Sequence, residues 1–192
     1  MGEEGKAASG DRNGLFFVLP LFYPEAMSDI AESCSPQSIQ LTDGTALAVT
    51  RGVLRLFQRH DLFGLTEAPL PNGRRADIMA LDAAGHLIIV EIKGSRADLM
   101  GDMKWPDYFD YCDRYFWAVP AGFDLGLFDG EALWPARTGL IVADQYYAEI
   151  IRAAPTEPLA PARRKAETLR FARRAARRHW VDCDPYGESG LR

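Results

Sequence analysis

The sequence predicts an α/β domain with a central mixed β-sheet flanked by helices. Three observations predict it. Short runs rich in β-branched and aromatic residues (Ala76–Leu81, Leu87–Ile92, Tyr115–Val119) alternate with helical patterns in the order helix, strands, helix, strand, helix. Of the 192 residues, 47% are hydrophobic and 26% charged, ordinary proportions for a soluble globular chain. The length suits one domain plus tails, enough to bury a sizeable core.

Along the chain, residues 1–41 read as a loosely ordered extension. The composition break before the Ser-rich 28–42 stretch suggests that residues 1–26 lie upstream of a true start at Met27. The domain proper spans 42–154. Asp43 is a good N-cap for a helix through about His60, with Leu47, Val53, Leu54 and Phe57 as its apolar stripe. Phe63–Ala68 reads as a first strand and Pro69–Gly73 as a turn. The Ala83-Ala84-Gly85 break then joins two strands as a three-residue hairpin loop, its glycine taking the left-handed position. Ser95–Cys112 reads as helical, interrupted at Trp105-Pro106, where proline opens a second helix. Pro120 ends the Tyr115–Val119 strand, and Gly139–Ala143 with Tyr146–Ile151 form a last pair. A linker at 155–161 leads to a basic helix from Ala162 to Trp180, which packs on the domain, and 181–192 is a tail.

Several function classes are disfavoured. Cys34, Cys112 and Cys183 form no close pair, and neither they nor His60, His86 and His179 show zinc-site spacing. A reducing cytoplasm is the default compartment. Leu15–Tyr23 falls short of the roughly 20 apolar residues of a membrane span and contains Pro20. The segment before it lacks the net positive charge of a secretory leader. The net charge of −5 argues nothing for nucleic acid by itself. Residues 163–179, however, hold eight Lys and Arg against one Glu, a local +7 that leaves −12 for the rest. An acidic body with a basic helix is a polarised molecule.

The hairpin carries the chemistry. With Asp82 and His86 flanking its loop, paired residue numbers place Asp77 directly opposite Glu91. Such residues have Cβ atoms roughly 4.5–5.5 Å apart, and like charges there are destabilising. Strand alternation returns Lys93 to the same face. Two acids so placed suit a hard divalent ion such as Mg²⁺, which takes one or two carboxylates plus waters and phosphate oxygens. From spacing alone, a solvated face neutralised by Lys93 is the commoner meaning. Against that meaning, Ile88, Val90 and Ile92 are uniformly apolar, and Leu87 and Ile89 share the acids' face. Both faces of the second strand are therefore largely covered, and a glutamate there needs a partner.

An acid at the end of one strand followed by Glu-x-Lys on the next, here Asp77 and Glu91-Ile92-Lys93, resembles the PD-(D/E)XK nuclease superfamily. The longer text GRRADIMALD, IVEIKGSRADLMGDMKWPDYFDYCDRYFWAV, GLIVAD and LAPARRKAETLRFAR is similar to the MmcB family of alphaproteobacterial DNA repair proteins, read as endonucleases of that superfamily. The likeness runs from about Thr42 to Arg178. It implies a restriction-endonuclease-like core and a Mg²⁺- or Mn²⁺-dependent DNA endonuclease acting in repair, in the cytoplasm and associated with the nucleoid. By the same likeness, Asp77, Glu91 and the Ile92 carbonyl are the metal ligands. Lys93 orients or helps deprotonate the attacking water and stabilises charge on the phosphate. Burial lowers a lysine's pKa, while the neighbouring carboxylates oppose that fall. DNA, in branched or damaged duplex form, is the implied partner, with repair proteins or a second copy of the chain beside it.

The chain departs from the superfamily pattern in two places. No proline precedes Asp77, and residues 44–60 lack the glutamate that many members carry on the first helix. Glu67 either substitutes for it or is solvated. Lys104 and Tyr111 are phosphate-contact candidates, against core and surface roles for this cluster, with Asp107 and Tyr111 on one helical face. Arg96 is a further candidate. On the basic helix Arg163, Arg170, Arg174, Arg177 and Arg178 fall on one side, and Ala162, Leu169, Ala176 and Trp180 on the other. The arginine side reads equally as a solvated face or a phosphate-backbone surface. Two further readings share these residues: a catalytically degenerate DNA-binding protein of nuclease fold, and a nuclease acting on RNA.

Overall fold

The computed structural model describes residues 43–102 and 104–184. The expectations for the N-terminal extension, the Met27 start and residues 185–192 lie outside them. The elements are α1 (Asp43–Arg59), β1 (Leu62–Pro69), β2 (Arg75–Asp82), β3 (Leu87–Ile92), α2 (Arg96–Gly101), β4 (Arg114–Pro120), β5 (Thr138–Ala143), β6 (Ala148–Arg152) and α3 (Pro161–Cys183). Three 3-10 helices join them, at Trp105–Tyr111, Leu125–Asp129 and Glu131–Leu133.

The six strands form one sheet in sequence order. β1, β2 and β3 run antiparallel, β3, β4 and β5 parallel, and β6 returns antiparallel to β5. The mixed α/β architecture expected from the element order is therefore the one observed. Strand alternation divides the core into two layers. Ile78, Ala80, Ile88, Val90, Phe116, Ala118 and Ile141 face α1, which supplies Val49, Val53, Leu56 and Phe57. Met79, Leu87, Ile89, Tyr115, Trp117 and Leu140 face the opposite layer, with Leu99 of α2, Trp105, Tyr108 and Tyr111, and Phe171 of α3.

Two helical expectations are corrected. Leu47 is exposed, and Val49 and Leu56 complete the inward stripe instead. Gly52 accounts for the rotation. A Cβ there would stand 2.1 Å from the Asp144 carbonyl oxygen, so this bare backbone is where α1 meets the β5–β6 turn. The Ser95–Cys112 segment forms α2, capped by the Ser95 hydroxyl accepting from Asp98 N–H, followed by a 3-10 helix at Trp105. With three residues per turn, Trp105, Tyr108 and Tyr111 share the buried edge. Asp107 and Tyr111 do not share a face: Asp107 is exposed and ion-paired to Arg74.

The third correction concerns α3, which continues through Cys183 and is turned opposite to expectation. Leu169 and Trp180, read as its packing face, are 60% and 45% exposed. Glu167 and Phe171 are buried instead. Arg174 donates to the Pro69 carbonyl at 2.6 Å and Arg178 to the Thr66 carbonyl. β1 is an edge strand, and its outward carbonyls need donors. Two guanidinium groups meet that need, while burial of Phe171 contributes roughly 2 kcal/mol. At the other end of α3, buried Asp113 accepts from Leu87 N–H, Leu159 N–H and Arg164. This carboxylate ties β3, the linker and α3 together, and those donors hold its pKa below the ordinary value against the opposing effect of burial.

Candidate functional site

The β2–β3 register pairs Leu81 with Leu87, Ala80 with Ile88, Met79 with Ile89 and Ile78 with Val90. Gly85 makes this register possible, turning the loop at φ +84° while Asp82 N–H bonds to His86 O at 3.1 Å. One residue past Ile78 and Val90, Asp77 and Glu91 replace ladder bonds with their own side chains. The Asp77 carboxylate accepts from Ile92 N–H at 2.7 Å, and Glu91 accepts from Asp77 N–H at 3.2 Å. Asp77, Glu91 and Lys93 thus converge where the two strands part, on the face that carries α2 and the aromatic layer.

Burial governs the electrostatics. Glu91 is 4% exposed, and that burial, with the nearby Asp77 charge, pushes its carboxyl up to about 8. Asp77 is raised for the same first reason, and the Ile92 N–H and the Lys93 charge offset only part of the rise. Lys93 is 6% exposed. Burial works to lower its pKa, but the hydrogen bond and charge of Asp102 outweigh it and carry the ammonium above its ordinary value. Its Nζ donates to Asp102 Oδ2 at 2.7 Å, stands 3.9 Å from Asp98 and lies 5.8 Å from the centre of the Trp117 ring. The Tyr108 hydroxyl donates to the Arg75 carbonyl at 3.0 Å, and the phenol's pKa is raised by burial and by the charge of Glu91.

Glu67 stands close enough for its charge to help raise the Asp77 carboxyl. It drops out of the β1–β2 pairing between Thr66 and Ala68, adopts φ +50°, and pairs with Arg75 at 2.5 Å. Among the described residues no three His, Cys, Asp or Glu side chains gather closely enough to hold a metal ion.

The profile of the DNA repair protein MmcB-like family matches residues 35–184. The chain belongs to the MmcB-like family. It is also similar to a solved structure, a protein of unknown function from Silicibacter pomeroyi. That structure is 42% identical, with a TM-score of 0.67, and the match covers 79% of this chain and 99% of that one. No curated protein matches.

In this MmcB-like protein the remaining candidates are dispersed. Arg96 is exposed at the start of α2, and Lys104 is exposed just before the Trp105 turn. Tyr111 is not on the surface as a phosphate contact would be. It is 6% exposed, with the Arg163 guanidinium 5.1 Å from its ring centre. Arg163, Arg170 and Arg177 recur every seven residues and are exposed along one flank of α3, Arg170 also bonding buried Glu167. Arg174 and Arg178 turn inward to β1. Among the described residues no helix is long and apolar enough to cross a membrane. Sequence reasoning missed Asp98 and Asp102. The Ser95-x-x-Asp98 capping pattern signals the first, but nothing in the spacing marks Asp102.

Proposed function

We propose that this MmcB-like protein is a divalent-metal-dependent DNA endonuclease of the PD-(D/E)XK type that hydrolyses phosphodiester bonds in DNA repair. The observation that carries the reading is the convergence of Asp77, Glu91 and Lys93 at the parting ends of β2 and β3. The sheet fits a restriction-endonuclease-like core, an antiparallel hairpin continuing into a parallel crossover behind a first helix. The family's association with DNA repair supplies the substrate class.

The donor set fits Mg²⁺ or Mn²⁺. A buried Glu91 and a half-buried Asp77, whose ionisation is opposed by burial and for Glu91 also by its neighbour's charge, are relieved by a cation, and hard divalent ions accept one or two such oxygens plus water. Asp77 and Glu91, with the Ile92 backbone, would hold the ion. When bound, it supplies the positive charge that polarises a phosphate and acidifies a water. Lys93 orients the attacking water and faces the charge that develops on the phosphate oxygens. The exposed arginine flank of α3, with Arg96 and Lys104, holds the nucleic-acid backbone. Arg163 and Arg177 are the foremost contacts because their side chains are exposed along that flank, whereas Arg174 and Arg178 turn toward β1.

Purified protein with Mn²⁺ is expected to cleave at least one of duplex, flap, nicked, bubble or four-way-junction DNA. Asp77→Ala, Glu91→Ala and Lys93→Ala should each abolish that cleavage. Undiminished cleavage in all three variants would refute the assignment. Among the described residues no third acid gathers with Asp77 and Glu91 closely enough to hold a metal with them, which favours a second reading, a DNA-binding protein of degenerate nuclease fold. Metal titration separates the two, because only the enzyme requires a divalent site lost in Glu91→Ala.

A further inference from the structure

Lys93 raises a difficulty for the Asp77–Glu91 pair. Its stem is flexible, its ammonium is buried, and the two nearby carboxylates are what an unrestrained lysine would seek. A lysine seated on them would supply the positive charge that a divalent ion otherwise brings. Among the described residues, however, its Nζ forms ion pairs with Asp102 and Asp98 and with no other acid.

Asp102 is built to receive it. α2 is fixed at its start by the Ser95 cap and through its middle by buried Leu99. Asp102 closes that helix, its N–H reaching Leu99 O and its Oδ1 accepting from Lys104 N–H at 3.0 Å. One carboxylate oxygen is thus held by backbone and the other aimed at Nζ. The Trp117 ring stands 5.8 Å from the same ammonium, a distance typical of cation–π contact.

We propose that Asp102 is a positioning residue that anchors the Lys93 ammonium on α2 and keeps it off the Asp77–Glu91 pair, leaving that pair open to a cation. The inference rests on the reading of that pair as a cation site. Removing Asp102 frees the ammonium to swing toward Glu91, and metal affinity falls without any ligand being touched. Outer-shell partners of metal sites commonly cost about tenfold to a hundredfold in affinity when lost.

The test uses the full chain and Mn²⁺ alone, with affinity read by calorimetry and by electron paramagnetic resonance. Asp102→Ala should weaken Mn²⁺ binding about tenfold or more. Asp102→Asn, which keeps an acceptor oxygen, should recover most of the loss. The double variant Asp102→Ala with Lys93→Met should restore wild-type affinity, since no ammonium remains to compete. A structural role for Asp102 makes the opposite forecast, that the double variant binds no better than Asp102→Ala. Unchanged affinity in Asp102→Ala, or equal loss in the double variant, overturns the proposal. A metal-free arm reads Lys93 itself by the ¹H–¹⁵N signal of its ammonium, expected in wild type and Asp102→Asn and shifted or lost in Asp102→Ala. If wild type binds no Mn²⁺, the cation-site reading falls. An unmoved signal in Asp102→Ala overturns the anchoring whether or not metal binds.

Discussion

Burial and the Asp77 charge place the Glu91 carboxyl at about 8, against an ordinary 4.5. The folded chain therefore holds this proton more tightly than the unfolded chain. Stability is full below about 4.5 and is lost as pH climbs through about 8, because ionisation is easier after unfolding. Asp77 shifts in the same direction and adds to the loss. Glu91→Gln, neutral at every pH, should escape it. In metal-free buffer its melting temperature should match wild type within about 1 °C at pH 4.5 and exceed it by at least about 3 °C at pH 8.5, for a gain on the order of 1–3 kcal/mol. Equal melting temperatures at the higher pH would show that Glu91 ionises without strain. The proton's displacement also makes Mn²⁺ affinity climb with pH up to about 8. This pair was legible in the sequence because strand alternation and the hairpin loop together set which side chains oppose. Asp102 was not, since its contact with Lys93 spans nine residues and depends on where α2 ends.

At the scale of elements, α3 departed furthest from its sequence pattern. Hydropathy assigns Leu169 and Trp180 to the core, yet a single buried Phe171 and two guanidinium groups decide the orientation. The deciding partners are backbone carbonyls of an edge strand, which no side-chain pattern in α3 can reveal. The 3-10 turn at Trp105 hid for a related reason, as its aromatic spacing of three also fits an α-helix. The hairpin, whose period is two and whose loop is short, has the expected register and loop, and β2 runs one residue further at each end than expected. The orientation of α3 predicts a division among its arginines. Arg174→Ala with Arg178→Ala should unfasten the second half of the helix, costing about 1–3 kcal/mol and raising hydrogen exchange there. Arg163→Ala with Arg177→Ala, whose side chains are exposed, should weaken DNA binding more than it lowers the melting temperature. Equal effects of the two pairs on stability would contradict the inward placement of Arg174 and Arg178.

The whole chain sets a local +7 at residues 163–179 of α3 against −12 elsewhere. α3 contributes Phe171 to the same core layer on which Asp77, Glu91 and Lys93 lie. On the proposed reading, a polyanion is attracted to the exposed arginine flank and opposed by the net acidic remainder, so charge would orient it before any specific contact forms. The consequence can be measured as salt dependence. Each phosphate neutralised on a duplex lowers the slope of log affinity against log salt by about 0.9. If Arg96, Lys104, Arg163, Arg170 and Arg177 are the contacts, the slope should approach about −4 to −5. Removing Arg163 and Arg177 should bring it up by about 2, uniformly across DNA sequences, because backbone contacts carry no base information. Arg174→Ala, whose guanidinium is committed to Pro69, should change the slope by less than about half a unit. A wild-type slope near zero would mean that the acidic body, and not the arginine flank, governs how this protein meets DNA.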